Sequence, residues 1–234
     1  QRHGRFELVG AGMVGIAEAK NNRPQFGTVL NALGDGLVVS RASLGHEGAP
    51  YPARVFATRN ISVIANKAGQ YCVEAASCPG LTFKDSTFMQ LHADGNGVLA
   101  TSSWFFKMYN TRVIGRGRAG GATGDGITIG TVISAGGVYV QNCWVGGFND
   151  NWLFDKGLWN TIDILNTETS DAGQYNYHFK AGRANNVKIT GEYFENERVA
   201  DVFCAAGVVD NLTINNTYFL MGDKPDSTNI EPLY

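Results

Sequence analysis

Gly157-Leu158-Trp159-Asn160-Thr161-Ile162-Asp163-Ile164-Leu165-Asn166-Thr167-Glu168-Thr169 (GLWNTIDILNTET) decides the reading of this chain. Its pattern returns as GRANNVKITGEYF at 182–194 and as GVVDNLTINNTYF at 207–219. Gly157, Gly182 and Gly207 are therefore 25 residues apart twice running (182 − 157 and 207 − 182). A helix would place apolar residues at i, i+3, i+4 and i+7. Here Ile162 and Ile164, Val187 and Ile189, and Leu212 and Ile214 alternate with polar residues and are mostly β-branched, which is a strand pattern. One short strand cannot bury its own apolar face, whereas stacked copies can, which is the logic of a solenoid.

The period extends towards the N-terminus. Val138 lies 24 residues before Ile162 (162 − 138), and a second series, Ile129, Phe154, Phe179 and Cys204, keeps a spacing of 25. Each turn thus carries at least two registered strands. A turn of this length is too long and too poor in leucine for a leucine-rich repeat, and too short for a four-stranded propeller blade. The expected fold is all-β, a parallel β-helix over 1–221. A polar tail at 222–234, with Pro225 and Pro232, is expected to serve as a cap or linker.

Composition narrows the function classes. With 19 Lys+Arg against 21 Asp+Glu, nothing in the charge balance argues for nucleic acid or an anionic membrane. No apolar run is long enough to span a bilayer. The 30 glycines and 6 prolines suit many tight turns better than disorder. Cys143 and Cys204 fall in strand blocks and read as small buried hydrophobes, as against a Cys72–Cys78 loop bridge. The start, Gln1-Arg2-His3-Gly4, has no signal-peptide plan, and the chain reads as a fragment or a processed product.

Two glycine motifs mimic nucleotide-binding loops. Gly10-Ala11-Gly12-Met13-Val14-Gly15 follows Phe6-Glu7-Leu8-Val9, but the helix-friendly residues stop at Lys20, too soon for a βαβ crossover. Gly115-Arg116-Gly117-Arg118-Ala119-Gly120 has no apolar helix behind it and reads as a turn. His92-Ala93-Asp94-Gly95-Asn96-Gly97 is likewise a turn and lacks EF-hand spacing. Further strands are expected at Asn60–Ile64, at Leu81–Lys84 and around Asn110–Val113, at unequal intervals, and residues 43–54 read as a loop.

Stacking turns the sequence into columns about 4.8 Å apart. Val138/Ile162/Val187/Leu212 and Val140/Ile164/Ile189/Ile214 are interior columns. Asn142, Asn166 and Asn216 form a corner column broken by Gly191, expected to bond the neighbouring turn's backbone. Trp144, Glu168, Tyr193 and Tyr218 form the adjacent column. Alternation turns it outward if Val145, Thr169, Phe194 and Phe219 face in. A carboxylate between aromatic rings suits a sugar, whose apolar face stacks on rings while its hydroxyls bond carboxylates.

Other carboxylates nearby are Asp171, Glu192, Glu195, Glu197 and Asp201. Glu168 and Glu195 are one turn and two columns apart, so their Cα atoms lie roughly 8 Å from each other. That matches an inverting glycosidase pair, whose carboxyl groups stand about 6.5–9.5 Å apart with room for water. Asp163, beside Lys188, is the next catalytic candidate. A lyase would instead use His178 and Lys180, which share a strand face, with Arg183 nearby. No triad order, zinc motif or P-loop lysine is present.

The blocks GLWNTIDILNTET, ANNVKITGEYFEN and VDNLTINNTYF, with the opening FELVGAG and GTVL, resemble bacteriophage tailspikes and the wider pectate-lyase-like β-helix proteins. The resemblance implies a right-handed parallel β-helix, a homotrimer on the virion tail, and binding and cleavage of a bacterial surface polysaccharide, with no cofactor. These are fold motifs, so no family active-site residue is carried over. A virion-attachment domain and a C-terminal trimerisation domain are not evident, which again implies a fragment. The leading expectation is therefore a glycoside hydrolase acting on a capsule, exopolysaccharide or O-antigen. Glu168, Glu195 and Asp163 are its catalytic candidates, and Trp144, Tyr193, Tyr218 and His178 would contact substrate. The alternatives are a non-catalytic receptor-binding fibre and a polysaccharide lyase.

Overall fold

The structure is a computed structural model that describes residues 5–9, 28–32, 37–40, 55–76, 78, 80–101, 104–117, 121–195 and 199–220. The glycine motif at 10–15, the loop at 43–54, residues 118–120, Glu197 and the tail at 222–234 lie outside them. The described chain is all-β: parallel strands stack into a β-helix of about six turns, with roughly 25 residues per turn. No helix among these residues is long and apolar enough to cross a membrane.

Three faces enclose the core. Face A runs through Val55–Arg59, Gly80–Lys84 and Phe105–Tyr109 to 137–141, 161–165, Val187–Thr190 and Leu212–Asn215. Face B is an eight-stranded sheet that includes Arg112–Ile114, Trp144–Gly146, Glu168–Ser170, Tyr193–Glu195 and Tyr218–Leu220. Face C runs through Tyr71–Ala76, Asn96–Thr101, 127–130 and 150–154 to Tyr175–Phe179 and Ala200–Cys204. The strands Ile127–Gln141 and Asp150–Leu165 turn the corner from face C to face A without a break, which joins these two faces into one 14-stranded sheet.

The 25-residue repeat is the register of the coil. Val138 pairs with Ile162, Ile162 with Val187, and Val187 with Leu212. Ile129, Phe154, Phe179 and Cys204 pair in the same way on face C. Phe83, Phe106 and Ile162 from face A, Phe88, Val145 and Phe194 from face B, and Trp152, Phe154 and Phe179 from face C fill one core. Each such burial contributes roughly 1.5–3 kcal/mol. Aromatic rings continue the stacking inside: Phe154 and Phe179 lie 4.5 Å apart at 8°. At the glycine corner, Gly157, Gly182 and Gly207 all have positive φ, and a Cβ on Gly182 would stand 2.3 Å from the Gly157 carbonyl oxygen. A side chain there would break the stack.

The strands Asn60–Ile64 and Leu81–Lys84 do not stack on each other. Ile61–Ala65 belongs to face B and Gly80–Lys84 to face A. The unequal intervals seen in the sequence come from comparing strands on different faces. Within face B, Ser62 pairs with Thr87 and Thr87 with Arg112, 25 residues each time (87 − 62 and 112 − 87). The loop 92–97 is a turn, with the Gly95 N–H bonded to the His92 carbonyl at 3.1 Å. All four thiols are free, so Cys72 and Cys78 form no bridge. Cys143, Cys72 and Cys78 are buried, while Cys204 is half-buried at the end of its strand.

Candidate functional site

The outward column on face B begins with an asparagine corner. Asn110, Asn142, Asn166, Gly191 and Asn216 all have positive φ, between 45° and 66°. Asparagine and glycine tolerate this left-handed backbone better than other residues. The turn directs main-chain N–H groups to the next coil, as from Asn142 to the Leu165 carbonyl (3.0 Å) and from Asn166 to the Thr190 carbonyl (2.8 Å). The amides are then free to meet one another: Asn110 Nδ2 donates to Asp85 Oδ1 (3.0 Å) and Asn142 Nδ2 to Asn110 Oδ1 (3.4 Å). The corner asparagines thus bond the neighbouring turn's backbone as the sequence suggests, through their main-chain N–H groups, while the Asn110 and Asn142 amides bond side chains.

Beyond the corner, Val145, Thr169 and Phe194 are buried, so their neighbours Trp144, Glu168 and Tyr193 point outward. Arg112, Trp144, Glu168, Tyr193 and Tyr218 are paired in one column. Trp144 Nε1 donates to Glu168 Oε1 at 2.8 Å. The Tyr193 and Tyr218 rings stack at 5.2 Å and 9°. Arg112, Trp144, Glu168 and Tyr193, with the asparagine corner, line a groove of about 480 Å³. Glu195 is half-buried two residues along from Tyr193, and pairs with Ser170 and Leu220.

The other candidates lie elsewhere. Asp163 is on face A, across the Asn166 corner, in a column with Lys107, Tyr139 and Lys188. His178 is on face C, where Tyr177 and Phe179 point into the core and His178 and Lys180 outward. The structure thus gathers Trp144, Glu168, Tyr193, Tyr218 and Glu195 on one face, without Asp163 or His178.

Face C carries a cluster that the sequence reading overlooked. Asn151 and Trp152 are both fully buried, as are Asn176 and Tyr177 one turn on. This extra inward residue breaks the alternation and points Asp150 and Tyr175 away from the core, Tyr175 part-exposed and Asp150 covered by its neighbours. The buried amides form a ladder: Asn151 Nδ2 donates to Asn176 Oδ1 (2.7 Å), and Asn176 Nδ2 to Asp201 Oδ1 (2.8 Å). On the side away from the core, His178 Nδ1 meets the covered Asp150 Oδ2 at 2.7 Å. Asp125 is pushed up to about 6, first by burial and then by the Asp150 charge; Lys180 and His178 pull against this. Lys180 pairs with Asp155 at 3.1 Å. The signal in the sequence was the 25-residue interval from Asp125 to Asp150 (150 − 125), masked by the glycine-rich run before it.

Glu192 is a correction. Grouped with the outer carboxylates, it is instead 1% exposed in the core. Thr169 Oγ1 (3.0 Å) and Tyr177 Oη (3.1 Å) both donate to its Oε1. Burial pushes its carboxyl up to about 8, against those two hydrogen bonds. Alternation back from the outward Tyr193 points Glu192 inward, in line with Cys143 and Thr167, which are also buried. Among the described residues, no group of three or more His, Cys, Asp or Glu is placed to hold a metal ion.

Compared with protein-family models, curated proteins and solved structures, the chain matches none.

Proposed function

We propose that this β-helix binds a bacterial surface polysaccharide along the face B groove and hydrolyses it with Glu168 and Glu195, as the tailspikes it resembles would. The observation that supports this reading is the unbroken outward column in which Glu168 lies between Trp144 and Tyr193. Trp144 lies one rung to one side of Glu168, and the stacked Tyr193–Tyr218 pair begins one rung to the other side, so aromatic surface flanks the carboxylate along the coil. Glu168 is already oriented by the Trp144 indole. Of Glu168 and Glu195, one carboxyl would protonate the bridging oxygen and the other would activate water. The resemblance extends the proposal to a homotrimer carried on a virion tail. A receptor-binding fibre is the second reading, favoured by the Trp144 bond, which holds Glu168 as an acceptor and suits recognition as well as catalysis.

The test is incubation with capsular, exopolysaccharide and O-antigen glycans, followed by assays for retention and for new reducing ends. Release that falls in Glu168→Gln and Glu195→Gln supports hydrolysis. Retention without release supports the fibre, and full release by both variants sinks the site assignment.

A further inference from the structure

We propose that face C carries a second, independent cleavage centre, in which Asp125 is the proton donor and His178, held by Asp150, is the base that activates water. It rests on the reading of the chain as a polysaccharide-processing β-helix and adds a site away from the groove.

Three observations meet there. Asp150 is 4% exposed, its Oδ2 is 2.7 Å from His178 Nδ1, and its Oδ1 has no hydrogen-bond partner among the described residues. An ionisable group is costly to bury without full pairing, and such groups concentrate at functional sites. Next, the Gly126 main-chain N–H donates to the Asp150 carbonyl at 2.8 Å, which sets Asp125 one rung before Asp150, where its carboxyl senses the charges of Asp150, Lys180 and His178. Last, a partly exposed aromatic box adjoins them. Tyr175 and Phe203 stack at 4.9 Å and 23°, and His178 lies 4.8 Å from the Tyr175 ring and 5.3 Å from that of Phe203. Phe203 is 40% exposed and offers a flat apolar surface suited to a pyranose face.

The chemistry balances. Asp150 accepts the Nδ1 proton of His178, which leaves the Nε2 lone pair available. A water oxygen bonds to the anomeric carbon and passes its proton to Nε2. The bond from that carbon to the bridging oxygen breaks, and the bridging oxygen takes the Asp125 proton. One hemiacetal and one alcohol result, and exchange with solvent returns His178 and Asp125 to their starting states. An acid poised near 6 suits proton donation at neutral pH.

The experiment uses the Glu168→Gln/Glu195→Gln double variant and a polysaccharide that the wild type cleaves. The double variant is expected to keep measurable release of reducing ends. Adding Asp125→Asn or His178→Gln is expected to lower that residual rate by about 100-fold or more. No residual release in the double variant, or residual release unaffected by either addition, overturns this proposal and leaves the groove assignment standing. Full release in the double variant, lost on adding Asp125→Asn, removes the groove assignment and keeps this one. If the wild type cleaves no glycan, both fall. Should Asp125→Asn fail to fold, the pH profile of the double variant decides: release must decline as pH rises through about 6, and a rate that is level from pH 5 to 8 overturns the proposal.

Discussion

Trp144 Nε1 donates a 2.8 Å hydrogen bond to Glu168 Oε1 from the neighbouring turn of the coil, so an aromatic surface and a carboxylate are fixed together on face B. Trp144→Phe keeps a ring and removes the N–H. Hydrogen bonds to charged groups are worth about 1.5–3 kcal/mol, and the part-buried setting places this one at the low end. The expected outcome is a melting temperature lowered by about 3–6 °C, and weaker glycan binding in titration calorimetry because Glu168 is no longer held beside the ring.

Glu192 makes stability depend on pH. Burial raises its folded-state pKa from the ordinary 4.5 to about 8, so between those values the folded chain keeps a proton that the unfolded chain has lost. Its contribution is complete below pH 4.5 and is lost as pH rises through about 8. Glu192→Gln keeps the Oε1 acceptor for Thr169 and Tyr177 and cannot ionise. Melting curves of the two proteins from pH 5 to 8 are expected to diverge by roughly 10 °C, with the variant the more stable at pH 8.

Gly191 interrupts the asparagine corner at φ +66°, and a Cβ there would meet the end of the Asn166 side chain, which can move. Gly191→Asn is expected to change stability by less than about 0.5 kcal/mol, because Asn142, Asn166 and Asn216 already occupy equivalent corners. Gly191→Val, branched at Cβ in the same left-handed backbone, is expected to cost about 1–3 kcal/mol. Urea unfolding midpoints separate the two.

Asn176 is the middle rung of the buried amide ladder between Asn151 and Asp201. Asn176→Ala leaves Asn151 Nδ2 with its bond to the Ser170 carbonyl alone and removes the Nδ2 donor from Asp201. A loss of about 2–4 kcal/mol is expected in denaturant unfolding, with the strands around Trp152 and Tyr177 losing hydrogen-exchange protection first.

The coil was legible because its interior columns are apolar at a fixed interval. Val138, Ile162, Val187 and Leu212 stand in register as their spacing required, and Trp144, Glu168, Tyr193 and Tyr218 follow from strict alternation beside them. What escaped the sequence is where that alternation breaks or was not followed through. Asn176 and Tyr177 both point inward, which no period of two allows, and this break places Asp150 against His178. Glu192 is a charged residue type at an inward position, so composition argued for the surface while register put it in the core. Asp163 and Glu168 are near in sequence, yet the left-handed backbone at Asn166 sets them on different faces.

The most direct test of the central claim is reducing-end release from polysaccharides that the wild-type protein retains. Release by the wild type is expected, lowered at least about 100-fold when Glu168→Gln, Glu195→Gln and Asp125→Asn are combined. Retention of glycans without any new reducing end would contradict it.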